Sequence, residues 1–550
     1  MVRISFVFTA YLNSSIPEIH CQSTPGATGA VMWDSGVVVG KFLEHAVDVG
    51  KLSLNGKNVV KLGSSCGLVR LKERKKKKKM EEEEPVSPTG QYLSSSVLNV
   101  TVLVVFETSI PIDDSQAIAA LQSIFLPINP RFSSIMVRDE HGVQKWRKVQ
   151  VKLEEHLKVP VFPQGLEQYD ECLQDYITRI SMEPLPFRKP LWDVSVIKYP
   201  TSTAAGTFVF RLHHALGDGY SLMAALFSCL KRVDDPSLPL TFPSSKPRRG
   251  WDSFLGFAQE LSYACVNTIR DFGWSLMKSS VMEDSVSAIR SGVPFVESRP
   301  INLSYFELSL DDIKTIKKNV NGTINDVLVG IIFYGINLYM EEVSPCHNAC
   351  KMTALVLLNT RAIRSYKSVE EMRNPNSKAK WGNYFAFLHI PMPKCDKKSK
   401  GDTVDPLDFV LRAKKIIELK RSSFGVYLSG ALLEMIRKLR GPEVASHCML
   451  KTLTNSSLAI SNMIGPMEQV EIIGHPVSGF HFMMVRAPQS LTMTIVSYMQ
   501  KVRVAMGAEK GFIDSSLLVS CMKKSFEAIY EASVVDKENQ FYPHEHEKEI

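Results

Sequence analysis

Cysteine is scarce in this chain: ten in 550 residues, scattered from Cys21 to Cys521. A small secreted scaffold held by disulfides is far denser in cysteine, so a reducing compartment is expected. The tightest cluster, Cys346 and His347 followed by Cys350, looks like half of a metal site but is read as coincidence. No second CxxC or HxxxH stands beside it, and no metal is expected. Long apolar runs are missing too. The longest, 327–340, has fourteen residues interrupted by Asn337. A spanning helix needs ~18–20, so a buried core helix or an interfacial segment is expected here. Net charge is absent from most of the chain. Residues 1–79 hold 13 Lys/Arg against 5 Asp/Glu, the whole of the +8, and 80–550 hold 52 of each. The body therefore has no electrostatic reason to bind nucleic acid, and no such partner is expected. Phosphate-loop, nicotinamide and flavin fingerprints are lacking as well, so no cofactor is expected.

With 45% hydrophobic and 22% charged residues, the composition excludes a disordered chain, a collagen-like fibre and a polytopic membrane protein. The length fits about three domains, or two large ones and a tail. Residues 1–79 form a basic extension ending in Arg74 and the lysine run 75–79, expected to be solvated and disordered. The apolar start at 4–11 mimics a signal peptide, but it is short and lacks a cleavage site. At Met80 the composition changes, and the functional chain is expected to begin near there. Strands at 97–106, 192–199 and 206–212 then alternate with helices at 115–125, 166–181 and 220–231. Pro-, Ser- and Arg-bearing segments over 234–300 read as a connection. Beyond it the alternation resumes, with strands at 302–308, 353–358, 384–390, 457–461 and 491–498 and helices at 311–319, 324–340 and 405–421. The pattern is α/β throughout, divided into 80–233, 234–300, 301–535 and a tail, 536–550.

The chemistry concentrates in Arg211-Leu212-His213-His214-Ala215-Leu216-Gly217-Asp218-Gly219. A paired His, three residues, then Asp-Gly is expected by chance roughly once in a thousand such chains. It lies where a strand ends and a helix begins, a place where catalytic groups are commonly displayed. A hydroxyl attacking a thioester must lose its proton, and neutral imidazole has a suitable pKa. His214 is assigned as that general base. Asp218, one turn on, is better suited to holding the loop, with Arg361 at a strand end as its partner. Gly219 permits a backbone conformation closed to other residues.

The stretch His213–Gly219 resembles the HHxxxDG signature of CoA-dependent acyltransferases built from two chloramphenicol-acetyltransferase-like domains. Over about 80–535 the chain most resembles the plant wax ester synthase/diacylglycerol acyltransferases. The supporting marks are Pro190-Leu191-Trp192, Asn325-Asp326, Trp381-Gly382-Asn383, the run from Ser461-Asn462 to Gly465-Pro466, and Pro85-Val86-Ser87-Pro88. The resemblance implies two α/β domains with a substrate tunnel between them and His214 at its centre. It implies long-chain acyl-CoA meeting a fatty alcohol or diacylglycerol without an acyl-enzyme, giving a wax ester or triacylglycerol. It further implies contact with a membrane surface, at the endoplasmic reticulum or the plasma membrane. Pro190, Leu191, Trp192, Asn325 and Asp326 would then shape the site and acyl channel, joined by Asn462 and Gly465. Bland readings stand beside these: Asn325 as a helix N-cap in competition with Thr323, Asn462 and Gly465 as a turn. Two other functions compete, a catalytically silent lipid-binding relative and an acyltransferase of the BAHD type acting on soluble alcohols. Asp271-Phe272-Gly273-Trp274-Ser275 resembles a BAHD element, but stands only about fifty residues after the histidines, which argues for coincidence.

Overall fold

The β-rich run after residue 97 becomes the strand Thr101–Thr108, buried at every position. Burial without alternation means that both faces of its sheet are covered. On one face Val102, Val104 and Phe106 pack with Phe125, Phe210, Leu222 and Leu226. On the other, Leu103 and Val105 meet Ile177 and Ile180 of the helix Asp170–Met182. The computed structural model describes residues 84–138, 144–243, 254–344, 350–361, 366–373, 377, 379–393 and 405–541. The extension 1–79, Cys346 and His347, and the tail beyond 541 lie outside them.

The first sheet runs in the order Leu157–Lys158, Trp192–Ile197, Gly206–His213, Thr101–Thr108, His475–Val485, Val470–Ile472, Lys231–Arg232. Its strands are antiparallel apart from the first pair. A second sheet is ordered Phe385–Pro391, Thr353–Asn359, Leu458–Ile464, Leu491–Tyr498, Lys501–Glu509, Ile301–Ser309. Its three strands Thr353–Asn359, Leu458–Ile464 and Leu491–Tyr498 run parallel. A small third sheet pairs Glu84–Pro85, Gln144–Lys148 and Ser134–Arg138. The architecture is α/β, with two large sheets each covered by helices.

The two halves interleave across the expected spans 80–233 and 301–535. Strands Val470–Ile472 and His475–Val485 come late in the chain yet belong to the first sheet, where Val485 pairs with Thr101 and Thr101 with His213. The early helix Pro88–Leu93 crosses the other way, its Tyr92 and Leu93 packing with Ala445, Met449 and Leu453 of the helix Pro442–Thr454. Between the sheets, buried Arg503 bridges Glu107 at 2.8 Å and Glu307 at 2.7 Å, its guanidinium 4.2 Å from the Tyr305 ring centre. Gly479 sits at a bulge against that guanidinium, where a Cβ would come within 2.7 Å of its central carbon.

The apolar run 327–340 lies within the helix Ile324–Val343, buried among Phe409, Val410 and Met522. Gly330 and Gly335 let neighbouring backbones approach, since a Cβ would lie 2.7 Å from Val410 Cα or 3.1 Å from Met522 Cα. It is a core helix. Among the described residues no single helix is long and apolar enough to cross a membrane. Residues 271–275 lie inside the helix Phe254–Ser280, where buried Asp271 binds Lys420 and accepts a 2.8 Å bond from Ser423 Oγ. That segment is helix packing.

Candidate active site

The histidine loop begins where the strand Gly206–His213 ends. The His213 backbone N–H donates to the Leu191 carbonyl at 3.0 Å and that of His214 to the Val100 carbonyl at 3.0 Å, which fixes both residues against neighbouring chain. Their rings then have different fates. His213 Nδ1 accepts the Ala215 backbone N–H at 3.0 Å, so its proton sits on Nε2, 3.1 Å from Asn99 Oδ1. Both nitrogens are occupied, and complete burial pushes the pKa down to about 3. His213 holds the loop and does not act as a base.

His214 Nδ1 lies 3.0 Å from Asn383 Oδ1. That acceptor places the proton on Nδ1 and leaves a lone pair on Nε2, to which no described residue bonds. Burial holds the pKa below the ordinary 6.5, opposed by the charge of Asp218 and by the Asn383 bond. A neutral imidazole with one free nitrogen is the form that can take a proton. The ring packs against Phe385, centre to centre 5.3 Å.

Asp218 faces away from this chemistry. Its Oδ1 accepts the Ser221 N–H at 3.0 Å, capping the helix Gly219–Ser228. Arg361 donates to Oδ2 at 2.6 Å and to Oδ1 at 3.1 Å, and the Tyr384 N–H reaches Oδ2 at 2.8 Å. The guanidinium lies between the rings of Tyr220 and Tyr384, 4.9 and 4.7 Å from their centres. Asp218 therefore clamps the histidine loop to the second half.

Several expected roles change. Gly219 is the first residue of its helix, and its backbone is not left-handed; its missing side chain leaves room for Met463, whose Sδ would lie 3.4 Å from a Cβ. Pro190, Leu191 and Trp192 are all buried, Leu191 and Trp192 in the first core. The Trp192 indole donates to the Phe132 carbonyl at 2.8 Å, and the Leu191 carbonyl anchors His213, so the tripeptide supports the histidine strand from behind. Thr323, and not Asn325, caps the helix Ile324–Val343, with Asp326 completing the reciprocal box. Gly465 is tight packing, for a Cβ would fall 2.0 Å from the Ser497 carbonyl. Asn325 and Asn462 stay exposed and are joined by a 2.6 Å bond from Asn462 Nδ2 to Asn325 Oδ1. They stand near the C-terminal end of the parallel strand Leu458–Ile464, where ligands of such sheets commonly bind. Asn99 and Asn383 carry site contacts that spacing could not reveal, because each arrives from a separate element.

Two family models cover most of the chain. One, described as the wax ester synthase/diacylglycerol acyltransferase catalytic domain, matches residues 94–328; the other, the WS/DGAT C-terminal domain, matches 381–530. The chain belongs to the wax ester synthase/diacylglycerol acyltransferase family. Wax ester synthase/diacylglycerol acyltransferase 11 of Arabidopsis thaliana is 28% identical over 457 residues, covering 80% of this chain and 92% of that protein. Number 4 of the same plant is 29% identical over 450 residues, 77% and 85% of the respective chains. Among solved structures, the wax ester synthase/diacylglycerol acyltransferase from Marinobacter aquaeolei VT8 superposes with a TM-score of 0.52 at 15% identity, covering 82% of this chain and all of that one. This likeness shows the fold, two chloramphenicol-acetyltransferase-like halves. A model described as lysine methyltransferase matches residues 16–84, of which only Glu84 is described.

His214 lies in one matched domain of the chain and Asn383 in the other. Burial carries a cost in acid. His213, His389 and His481 are each pushed down to about 3 by burial, against 6.5 for an exposed histidine. Depressed native values mean that the associated stability is full above pH 6.5 and is lost as pH falls toward 3. At pH 5 each residue costs about 2 kcal/mol, together about 6 against a typical margin of ~5–15 kcal/mol. The thermal midpoint followed by circular dichroism is expected to drop steeply between pH 6.5 and 5; a level midpoint would contradict the burial.

Proposed function

We propose that this chain transfers the acyl group of a long-chain acyl-CoA to a fatty alcohol, to diacylglycerol, or to both. The observation that carries the reading is a buried, neutral His214 whose Nδ1–H is held and whose Nε2 is free, set in the matched catalytic domain. The alcohol oxygen attacks the thioester carbonyl carbon while Nε2 takes its proton. The tetrahedral intermediate then collapses with cleavage of the C–S bond, and the imidazolium returns the proton to the departing CoA sulfur. No acyl-enzyme forms, and the step balances with acyl-CoA as its only activated reactant, so it calls for no further cofactor. His213, Asp218, Arg361 and Gly219 position the loop. Asn325 and Asn462 are assigned to the substrate path, a tunnel between the halves.

The same reading places the protein at a membrane surface, at the endoplasmic reticulum or the plasma membrane, because its apolar substrates reside in bilayers. Exposed Val266, Ile269, Leu276 and Met277 on the helix Phe254–Ser280 support it. Mass-spectrometric product analysis tests both parts. Palmitoyl-CoA is supplied with hexadecanol or a diacylglycerol, each presented in phosphatidylcholine vesicles and as a dispersion. Ester is expected from the wild type, faster from vesicles, and the product ratio ranks the two acceptors. A folded protein that makes neither ester, yet acylates a soluble phenolic alcohol, would overturn the reading.

A further inference from the structure

We propose that Asn383 is the positioning residue that makes His214 a base, by fixing its proton on Nδ1 from across the junction of the two halves. The inference rests on the acyltransferase reading above. A neutral imidazole has one proton and two places for it, and only the Nδ1–H form leaves Nε2 able to accept the alcohol's proton. The Asn383 carbonyl oxygen, 3.0 Å from Nδ1 and 92% shielded with the rest of the residue, is the side-chain acceptor that selects this form. A carboxylate there would do the same while pulling the imidazole toward its charged state. The neutral amide selects the tautomer without that bias.

The chain around Asn383 is held to the histidine loop residue by residue. The Trp381 indole donates to the Leu216 carbonyl at 2.8 Å. The Gly382 carbonyl accepts the Asp218 N–H at 3.1 Å, Ser221 Oγ–H at 3.0 Å and Arg361 Nη2 at 2.9 Å. The Tyr384 N–H donates to Asp218 at 2.8 Å. Gly382 has φ 140°, a conformation that other residues rarely adopt, and it turns the chain at that point. Asp218 thus grips the backbone on both sides of Asn383, which explains how a carboxylate that does not touch His214 governs its tautomer. The amide's other end is telling: Asn383 Nδ2 is buried and unpartnered among the described residues. A residue selected for packing alone would be apolar, since an unmade buried hydrogen bond costs stability.

The full chain carrying Asn383→Ala or Asn383→Asp would be assayed with palmitoyl-CoA and hexadecanol from pH 5 to 9. Asn383→Ala is expected to lower kcat about 100-fold with KM within about threefold, since loss of tautomer control reduces turnover without touching binding. Asn383→Asp restores an acceptor and should recover kcat to within about tenfold of wild type. It should also move the acid limb of kcat/KM to higher pH, because an added negative charge raises the imidazole pKa. Recovery of kcat by aspartate after its loss in alanine is the readout that a merely structural residue would not give. Asn383→Ala turnover within threefold of wild type would overturn the proposal, as would an aspartate variant with an unmoved acid limb. Should the alanine variant fail to fold, Asn383→Leu, which removes the acceptor and keeps the volume, is judged by the same threefold limit on kcat. Absence of ester from the wild type would instead overturn the acyltransferase reading, so the two failures are distinct.

Discussion

Replacing His214 with alanine is expected to cut ester formation by about 10²–10⁴-fold while leaving the thermal midpoint close to wild type. The magnitude follows from the work assigned to Nε2. Without a base the alcohol must attack carrying its proton, and general-base catalysis is worth that factor. Stability should hold because the ring makes one side-chain hydrogen bond, to Asn383, and its backbone bond to Val100 survives truncation. A cavity beside Phe385 is the main cost. Retention of more than a tenth of wild-type turnover would contradict the assignment. His213→Ala should behave in the opposite order, losing stability first, since both of its ring nitrogens hold the loop.

Asp218→Ala should lower both activity and melting temperature. The Asp218–Arg361 pair is buried, with side chains 6% and 2% exposed. Removing the carboxylate strands the guanidinium without its counter-charge, a change that typically costs about 3–5 kcal/mol. It also leaves the Ser221 and Tyr384 N–H groups without their acceptor. Because those contacts carry Asn383 to His214, turnover should fall in step with loop order. Differential scanning fluorimetry beside the ester assay separates the alternatives. Lost activity with an unchanged melting temperature would mean that Asp218 takes a direct chemical part.

Much of the fold was legible because strands buried on both faces announce themselves as apolar runs. The expected strands at 206–212 and 491–498 appear as Gly206–His213 and Leu491–Tyr498. The strand His475–Val485 stands outside the expected set: its Gly, Ser, Pro and two His blur the apolar pattern, and its long partner Thr101–Thr108 lies nearly four hundred residues away in sequence. Helices Gly425–Arg440 and Pro442–Thr454 were missed because they are largely half-exposed, with charges interrupting the apolar stripe. At the site, the histidine loop was readable because its residues are consecutive. Arg361 was the one distant partner inferred beforehand, since a buried aspartate requires a cation. Asn383 stood in the mark Trp381-Gly382-Asn383 without a role attached, and Asn99 left no sign: an asparagine is ordinary in any turn, and only three-dimensional proximity gives it a task.

The placement of His475–Val485 between Thr101–Thr108 and Val470–Ile472 governs the order in which the enzyme is made. A ribosome completes the histidine loop more than 250 residues before it reaches Val485. Throughout that interval the flank of Thr101–Thr108 has no neighbour, and an unpaired apolar strand invites pairing with other chains. The nascent first half is therefore the stage at which a chaperone is most needed. A chain halted before residue 470 cannot finish its first sheet, however complete its catalytic motif.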